Sequence, residues 1–227
     1  MNERVLESRG GKMHPSYGLD SFTTSLHLHA VNSIAILAFP READYPRLTR
    51  TTLHSIGALL EEIRRARLFL GVVILANEKS FATGADIEEV SQLDGPTGRQ
   101  FAIQGQALLD RIASFPLPVV AAIRGFCLGG GLDLALACHA RVATFDSTFG
   151  HPGGALGLIT GWGGTQRLPR LIGKAQALQM LLTGERIPAT QALTLGLVDE
   201  LVATQDLARA AVQFCERLAS ARSGGTS

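Results

Sequence analysis

Short apolar runs alternate with amphipathic segments along most of the chain, and this alternation constrains the fold more than any other feature. Residues 71–76 and 119–123 are apolar without a break, which is typical of strands covered on both faces. Between them, Phe101 and Leu108 belong to a helical repeat that Pro116 ends. Strands that alternate with helices in this way predict an α/β domain.

The remaining segments set the limits of one domain. The same reasoning predicts further strands at 34–39, 141–143 and 197–202, and helices at about 53–63, 132–140, 174–183, 188–196 and 207–219. Residues 1–24 are punctuated by Gly, Ser and Pro without any period, so we expect a weakly structured leader there. The domain is then expected to span residues 25–219, with a frayed tail at 220–227.

Composition and charge exclude several classes of protein. Of 227 residues, 46% are hydrophobic and 18% are charged, which is too little charge for a disordered chain. Lys and Arg number 21 against 20 Asp and Glu, without a basic cluster, so we expect no nucleic-acid partner. No apolar run approaches the ~20 residues that span a bilayer, so no membrane partner is expected either. Three cysteines form no disulfide or zinc pattern, and no histidine spacing indicates a metal; a reducing, cytoplasmic location is expected.

The first of three glycine-rich segments, residues 79–87, follows the apolar strand at 71–76. Asp86 precedes Glu89 by three residues, as in a capping box, so a helix is expected to begin at Asp86. One interpretation is a plain strand-to-helix turn in which Gly84 supplies an unusual backbone angle. The other is that small side chains leave backbone N–H groups uncovered for a ligand oxygen.

The second segment places three glycines, residues 129–131, between a buried strand and a helix. Each glycine weakens a helix by roughly 1 kcal/mol relative to alanine, so the run suggests a close backbone approach. A helix N-terminus offers unpaired N–H donors to a phosphate or an oxyanion. Asp133, in the first turn, either complements the helix dipole or stands beside whatever those donors hold.

The third segment, residues 149–168, is rich in glycine but also holds the single tryptophan, Trp162. A flexible linker would be solvated and would not place a large aromatic residue among leucines and isoleucines. We therefore expect an ordered loop that forms one wall of a pocket.

At these residues the chain resembles the crotonase, or enoyl-CoA hydratase/isomerase, superfamily. The resembling stretches, in the order and at the spacings of that family, are FATGADI at 81–87, GFCLGGGLDLALAC at 125–138, FGHPGGALGLITGWGGTQRLPRLIGK at 149–174 and LLTGERIPATQALTLGLVDELV at 181–202. The similarity extends from about Leu26 to Ala219.

The resemblance implies a spiral of ββα units with a shortened C-terminal helical region, in a homotrimer or hexamer. It implies an acyl-CoA thioester as substrate, as in fatty acid metabolism, and no cofactor beyond the coenzyme A of that substrate. An oxyanion hole formed by the N–H groups of Thr83 and Gly130 is implied by position. The implied substrate-binding positions are Arg41, Phe81, Gly84, Ala85, Asp86, Ile87, Gly129, Pro152, Gly153 and Gly161.

Two departures from the family pattern leave the reaction open. Hydratases of this family use two glutamates, and here Asp133 and Gly153 occupy those positions. Asp133 is the expected catalytic acid or base, and His151 is the nearest titratable substitute for the missing side chain, in proton transfer or as a pocket-lining residue. We therefore expect an enoyl-CoA hydratase or isomerase. The alternatives are an acyl-CoA-binding protein without activity, or another thioester reaction of the fold: decarboxylation, hydrolysis or dehalogenation.

Overall fold

A computed structural model describes residues 26–40 and 45–223, which form strands and helices in alternation. The predicted leader, residues 1–24, and the end of the predicted tail, residues 224–227, lie outside the described residues. The strands are β1 His27–Val31, β2 Ile34–Ala38, β3 Gly71–Leu75, β4 Ser80–Ala82, β5 Val119–Ile123, β6 Phe126–Leu128, β7 Ala140–Thr144, β8 Thr148–Gly150, β9 Arg186–Pro188 and β10 Glu200–Val202. The α-helices are α1 Arg50–Ala66, α2 Ile87–Ser91, α3 Gly95–Ala113, α4 Gly130–Ala137, α5 Gly164–Ile172, α6 Lys174–Thr183, α7 Ala189–Thr194 and α8 Leu207–Ser223.

The strands form a large sheet and a small one. The large sheet has the order β1-β2-β3-β5-β7-β10, in which β1 and β2 form an antiparallel hairpin and the other pairings are parallel. The small sheet has the order β4-β6-β8-β9, and only its β8–β9 pairing is antiparallel. Because β4, β6 and β8 run parallel, the segments that leave their carboxyl ends emerge at one edge of the small sheet.

A strand–strand–helix unit recurs three times and gives the fold its regularity. β3 leads into β4, β5 into β6 and β7 into β8, and each pair contributes one strand to each sheet before a helical segment follows. The predicted α/β class and the ββα arrangement are therefore confirmed. None of the helices in the described ranges combines the length and the apolar character needed to cross a membrane.

The large sheet is covered on both faces, as its unbroken apolar strands predict. Ala211 and Cys215 of α8 pack on one face against a cluster that includes Val73 and Val120. The other face meets a larger cluster that contains the buried residues of α1, α3 and α4 together with the inward residues of the small sheet. Every residue of β5 is buried, because helices and strands leave neither of its faces to solvent.

Several predicted boundaries are wrong, each for a physical reason. The three-residue strands of the small sheet were not predicted, because so few residues show no period. The predicted helix 132–140 is instead Gly130–Ala137, and Ala140 begins β7; both segments are buried on all sides, so burial does not mark the boundary. α8 continues to Ser223, so residues 220–223 are helical rather than frayed. α5 begins at Gly164, inside the segment predicted as a loop, and β10 is limited to Glu200–Val202.

Gly131 fixes how closely α4 lies to the small sheet. A Cβ atom at Gly131 would clash with the backbone carbonyl of Ala82 at the end of β4. That carbonyl belongs to a strand and cannot move freely, so only a glycine allows α4 to pack this closely.

We expect Gly131→Ala to lower the free energy of unfolding by about 1–3 kcal/mol, the usual cost of overpacking. Urea titration followed by circular dichroism measures the change. Gly98→Ala is the matched control, because Gly98 is also helical but a Cβ there would meet Leu93 at an ordinary 3.8 Å. The control should be neutral or slightly stabilising, and equal stability of Gly131→Ala and wild type would contradict the packing argument.

Candidate functional site

The turn after β4 is held in place by Asp86. Its carboxylate accepts hydrogen bonds from the backbone N–H groups of Glu88 and Glu89 and forms an ion pair with Arg47 at 3.1 Å. The Glu89 N–H, above all, and the Arg47 guanidinium hold the pKa of Asp86 below its ordinary value. The expected helix start at Asp86 is confirmed, but the Glu89 side chain accepts from the Arg50 N–H and does not close a capping box.

The Thr83 N–H is already used within the protein, which corrects the prediction for the oxyanion hole. It donates a hydrogen bond to the carbonyl of Pro46 at 2.9 Å. The Ala85 N–H, two residues further on, makes no such backbone bond with the described residues, although its neighbour Gly84 accepts from the Leu48 N–H. Ala85 is therefore the better candidate for a free donor in this turn.

Two glycine turns, one after β4 and one after β6, lie against each other. Gly84 and Gly129 have φ angles of +112° and +52°, which favour glycine. A Cβ atom at Gly84 would lie 3.5 Å from the Gly130 nitrogen, and one at Gly130 would lie 3.3 Å from the Ala85 nitrogen. The Gly130 N–H is in the first turn of α4, where the helix offers it no acceptor. The two amides are therefore close neighbours in space, although 45 residues separate them in the chain.

Trp162 forms a wall beside these amides. Its indole fills the space between Gly105 of α3 and Gly130 of α4, where a Cβ on either glycine would clash with it. The ring also packs against Phe101, with 5.3 Å between centroids, and only 4% of Trp162 is exposed. The third glycine-rich segment is thus packed into the core at Trp162 and does not behave as a solvated linker.

Asp133 and His151 form a buried pair next to Gly130. Asp133 is 1% exposed; its Oδ2 accepts a hydrogen bond from the Thr160 hydroxyl, and the Trp162 backbone N–H also donates to the carboxylate. His151, 3% exposed, places Nε2 3.6 Å from Asp133 Oδ1. That Oδ1 atom and both ring nitrogens of His151 have no hydrogen-bond partner. Each unpaired buried polar atom costs about 1–3 kcal/mol, so these three atoms mark a place that a ligand or water would fill.

Burial shifts the two groups in opposite directions. It raises the pKa of Asp133 to about 6, although the hydrogen bonds from Thr160 and Trp162 and the charge of Arg167 oppose the rise. It lowers the pKa of His151 to about 4. At neutral pH the site therefore holds a largely ionised carboxylate beside a neutral imidazole, and the 3.6 Å contact is not an ion pair.

Gly153 leaves the position of the second acid without a side chain. A Cβ atom there would lie 3.2 Å from the Leu158 carbonyl oxygen and 3.4 Å from the Leu158 Cβ. The position is therefore tight, and Leu158 would have to shift by a few tenths of an ångström to admit a side chain. The second carboxylate is absent from this site.

The other predicted site residues are scattered. Phe81 is fully buried and packs edge-on against Phe39 with 5.7 Å between centroids, so it is part of the core, and its role in substrate binding stays a prediction. Pro152 begins a short 3-10 helix, Gly161 accepts a hydrogen bond from the Gln106 side chain, and Ile87 is exposed. Arg41 lies outside the described residues.

Sequence reasoning missed two residues that shape the Asp133 environment. Thr160 donates to the carboxylate, and its hydroxyl in an otherwise apolar, glycine-rich loop was the available signal. Gly164, at the start of α5, packs so closely on Asp133 that a Cβ there would clash with Oδ1. No local pattern predicts that contact, because Gly164 and Asp133 are 31 positions apart in the chain.

A separate cleft of about 860 Å³ lies between α1 and α3. It contains none of the predicted site residues, so it is not the site described above. Its lining residues are Arg50, Leu53, His54, Gly57, Ala58, Glu61, Gln104, Ala107, Leu108 and Arg111. Within the described ranges, no three His, Cys, Asp or Glu side chains are grouped so that they could hold a metal ion.

Comparison with known proteins gives a consistent picture. A family model described as enoyl-CoA hydratase/isomerase matches residues 29–224. The chain is 34% identical to enoyl-CoA hydratase subunit I of Geobacillus kaustophilus, with a TM-score of 0.80 and coverage of 86% of this chain and 75% of that one. It is 32% identical to an enoyl-CoA hydratase of Bacillus anthracis (TM-score 0.81, coverage 86% and 77%). DspI of Pseudomonas aeruginosa is 30% identical (TM-score 0.83, coverage 89% and 84%).

The opposite pKa shifts predict opposite effects of pH on stability. The folded state keeps a proton on Asp133 that the unfolded state releases, so the stabilising contribution of Asp133 is lost as the pH rises from about 4 to about 6. The folded state leaves His151 unprotonated at pH values where the unfolded state protonates it. The stabilising contribution of His151 is therefore lost as the pH falls from about 6.5 to about 4.

As the pH rises, Asp133→Asn should therefore gain stability relative to wild type between about pH 4 and 6, and His151→Gln should lose stability relative to wild type between about pH 4 and 6.5. Each change should be on the order of 3 kcal/mol, at about 1.4 kcal/mol per pKa unit. Urea titrations at several pH values measure the differences, in which the other titrating groups cancel. A pH-independent difference for either variant would contradict the shift assigned to that residue.

Proposed function

Because the chain belongs to the enoyl-CoA hydratase/isomerase family, we propose that it acts on an acyl-CoA thioester by stabilising the thioester enolate. Enolate formation puts negative charge on the thioester carbonyl oxygen, and backbone N–H donors preorganised at that point lower the energy of the transition state. In the proposal the donors are Ala85 and Gly130.

The neighbouring amides of Ala85 and Gly130 are the observation that carries the proposal. They come from different strand ends, and the glycines at 84, 129 and 130 add no side chain of their own around them. The Gly130 N–H also belongs to the first turn of α4, where the helix dipole favours an anion. Backbone donors suit a thioester because they approach the carbonyl without a side chain that would block it.

Asp133 is the proposed base for the proton on the α-carbon. It follows Gly130 by one helical turn, and one of its oxygens has no partner in the protein. Its pKa of about 6 keeps most of it ionised at neutral pH while making it a stronger base than an exposed aspartate. The proposal requires the segment 151–163 to move when substrate enters, because Asp133 and His151 are both closed off from solvent.

In the same proposal the substrate is an enoyl-CoA, no cofactor is needed beyond the coenzyme A of the substrate, and the protein is a cytoplasmic homotrimer or hexamer. The exposed apolar side chains of Leu156, Ile159 and Leu182 support an assembly, because an interface would remove them from water.

A second candidate is an acyl-CoA-binding protein without turnover. The closed site and the absence of a side chain at Gly153 favour it, because hydration in this family depends on a second carboxylate. Calorimetry with butyryl-CoA, beside the reaction assays below, separates the two: binding without any proton exchange supports the second candidate.

Exchange of the α-protons of butyryl-CoA in D₂O tests the proposal directly, because it needs only an enolate and one base. We expect exchange with the wild type, with a rate that rises with pH up to about 6 as Asp133 ionises and then levels off. Asp133→Asn should slow exchange by about 10²-fold or more, measured by mass spectrometry. Wild-type protein that binds butyryl-CoA but does not exchange its α-protons would contradict the proposed function.

Replacing single backbone amides by esters tests whether Ala85 or Thr83 supplies the donor in the turn after β4. An ester at Ala85 removes its N–H and should slow exchange by about 10²-fold, as the loss of one oxyanion donor does elsewhere. An ester at Thr83 is the matched control, since it removes only the hydrogen bond to Pro46. The control should leave the exchange rate within a few-fold of wild type, and the reverse ranking would restore Thr83 as the donor.

A further inference from the structure

His151 is the strongest unexplained feature of the site. Both of its ring nitrogens are buried without a partner, which is rare for an imidazole inside a protein. A histidine kept only for packing would satisfy at least one nitrogen within the protein. It faces Asp133 Oδ1, which is 3.6 Å from Nε2 and is also without a partner.

We propose that His151 is the second proton-transfer group of this site and relays one proton to Asp133, which makes the site competent for hydration without a second carboxylate. This inference rests on the proposed function, and it assigns hydration of an α,β-unsaturated thioester as the reaction.

The geometry leaves His151 as the group able to take that role. Gly153 has no side chain, and Leu158 packs closely beside it. Thr160 donates to the other oxygen of Asp133, so it leaves Oδ1 free to face the imidazole. Arg167 of α5 is the charged group whose field reaches Asp133, and its guanidinium is already bonded to the Trp162 carbonyl and to Asp110.

The gap between His151 and Asp133 suits a relay. At 3.6 Å the two atoms are too far apart for a direct hydrogen bond, but they are close enough to share one water or to close on each other when substrate binds. The burial that leaves Asp133 the stronger base of the two makes proton transfer from His151 to Asp133 favourable.

The proposed hydration is balanced over one catalytic cycle. A water oxygen bonds to the β-carbon while one of its O–H bonds breaks, and that proton goes to a ring nitrogen of His151. The C=C electrons move into the enolate, whose oxygen the Ala85 and Gly130 N–H groups hold. The proton passes to Asp133, which gives it to the α-carbon as the thioester carbonyl re-forms. One water is consumed, and both side chains return to their starting states.

The test compares hydration of crotonyl-CoA with α-proton exchange of butyryl-CoA in the same variants. His151→Gln should lower hydration by about 10²-fold or more, the usual contribution of a general base, while exchange, which needs only Asp133, stays within about 3-fold of wild type. His54→Gln makes the same chemical change at an exposed position on α1 and should alter neither rate. Circular dichroism checks folding, and His151→Asn replaces any variant that fails to fold.

Each outcome decides the inference. If hydration and exchange both stay at the wild-type rate in His151→Gln, or both fall together, the relay is wrong. Wild type that exchanges α-protons but hydrates no enoyl-CoA overturns the relay and leaves the proposed function standing, whereas the loss of both reactions in wild type overturns the two together.

A measurement without turnover tests the coupling of the pair. Nitrogen-15 NMR of labelled histidine follows the protonation of His151 in wild type and in Asp133→Asn. Two groups that share a proton must influence each other, so the midpoint of the His151 titration should shift in the variant. An unchanged midpoint would show that the two side chains are independent and would overturn the relay.

Discussion

The close contact between the turns after β4 and β6 is the constraint on which the rest of the site depends. Gly84 and Gly129 take backbone angles that favour glycine, and Gly131 allows α4 to lie directly on the end of β4. Because the strands are parallel, both turns emerge at the same edge of the small sheet. A larger side chain at these positions would move the amides of Ala85 and Gly130 apart. The two N–H groups could then no longer donate to the same carbonyl oxygen.

Burial gives the remaining groups their character. Asp133 and His151 would be an ordinary carboxylate and imidazole on the surface, but inside the protein their pKa values shift in opposite directions and exchange order, to about 6 and about 4. The protein accepts the cost of three unpaired polar atoms at this point. Such a cost is typical of sites where a ligand completes the hydrogen bonding, and here the unpaired atoms lie beside the N-terminus of α4.

Much of the fold could be predicted from local patterns, but less of the site. The apolar run at 119–123 predicted both ends of β5 correctly, and Asp86 predicted the start of α2. Both predictions succeeded because burial and capping act over a few neighbouring residues. Thr83 was predicted as a donor and is instead bonded to Pro46, a partner 37 residues away that no local pattern specifies. The small sheet was missed for a related reason: three-residue strands carry no period of their own.

The sequence alone determined the α/β class, five of the six strands of the large sheet in their order, the family, and the glycine turns and acid at which chemistry was expected. Only the tertiary structure decided that Ala85 rather than Thr83 stands next to Gly130, that Leu158 packs closely beside Gly153, and that His151 faces Asp133. The physical reason is range: backbone preference and hydrophobic period are properties of neighbours in the chain, whereas hydrogen-bond partners and desolvation are set by residues that only packing brings together.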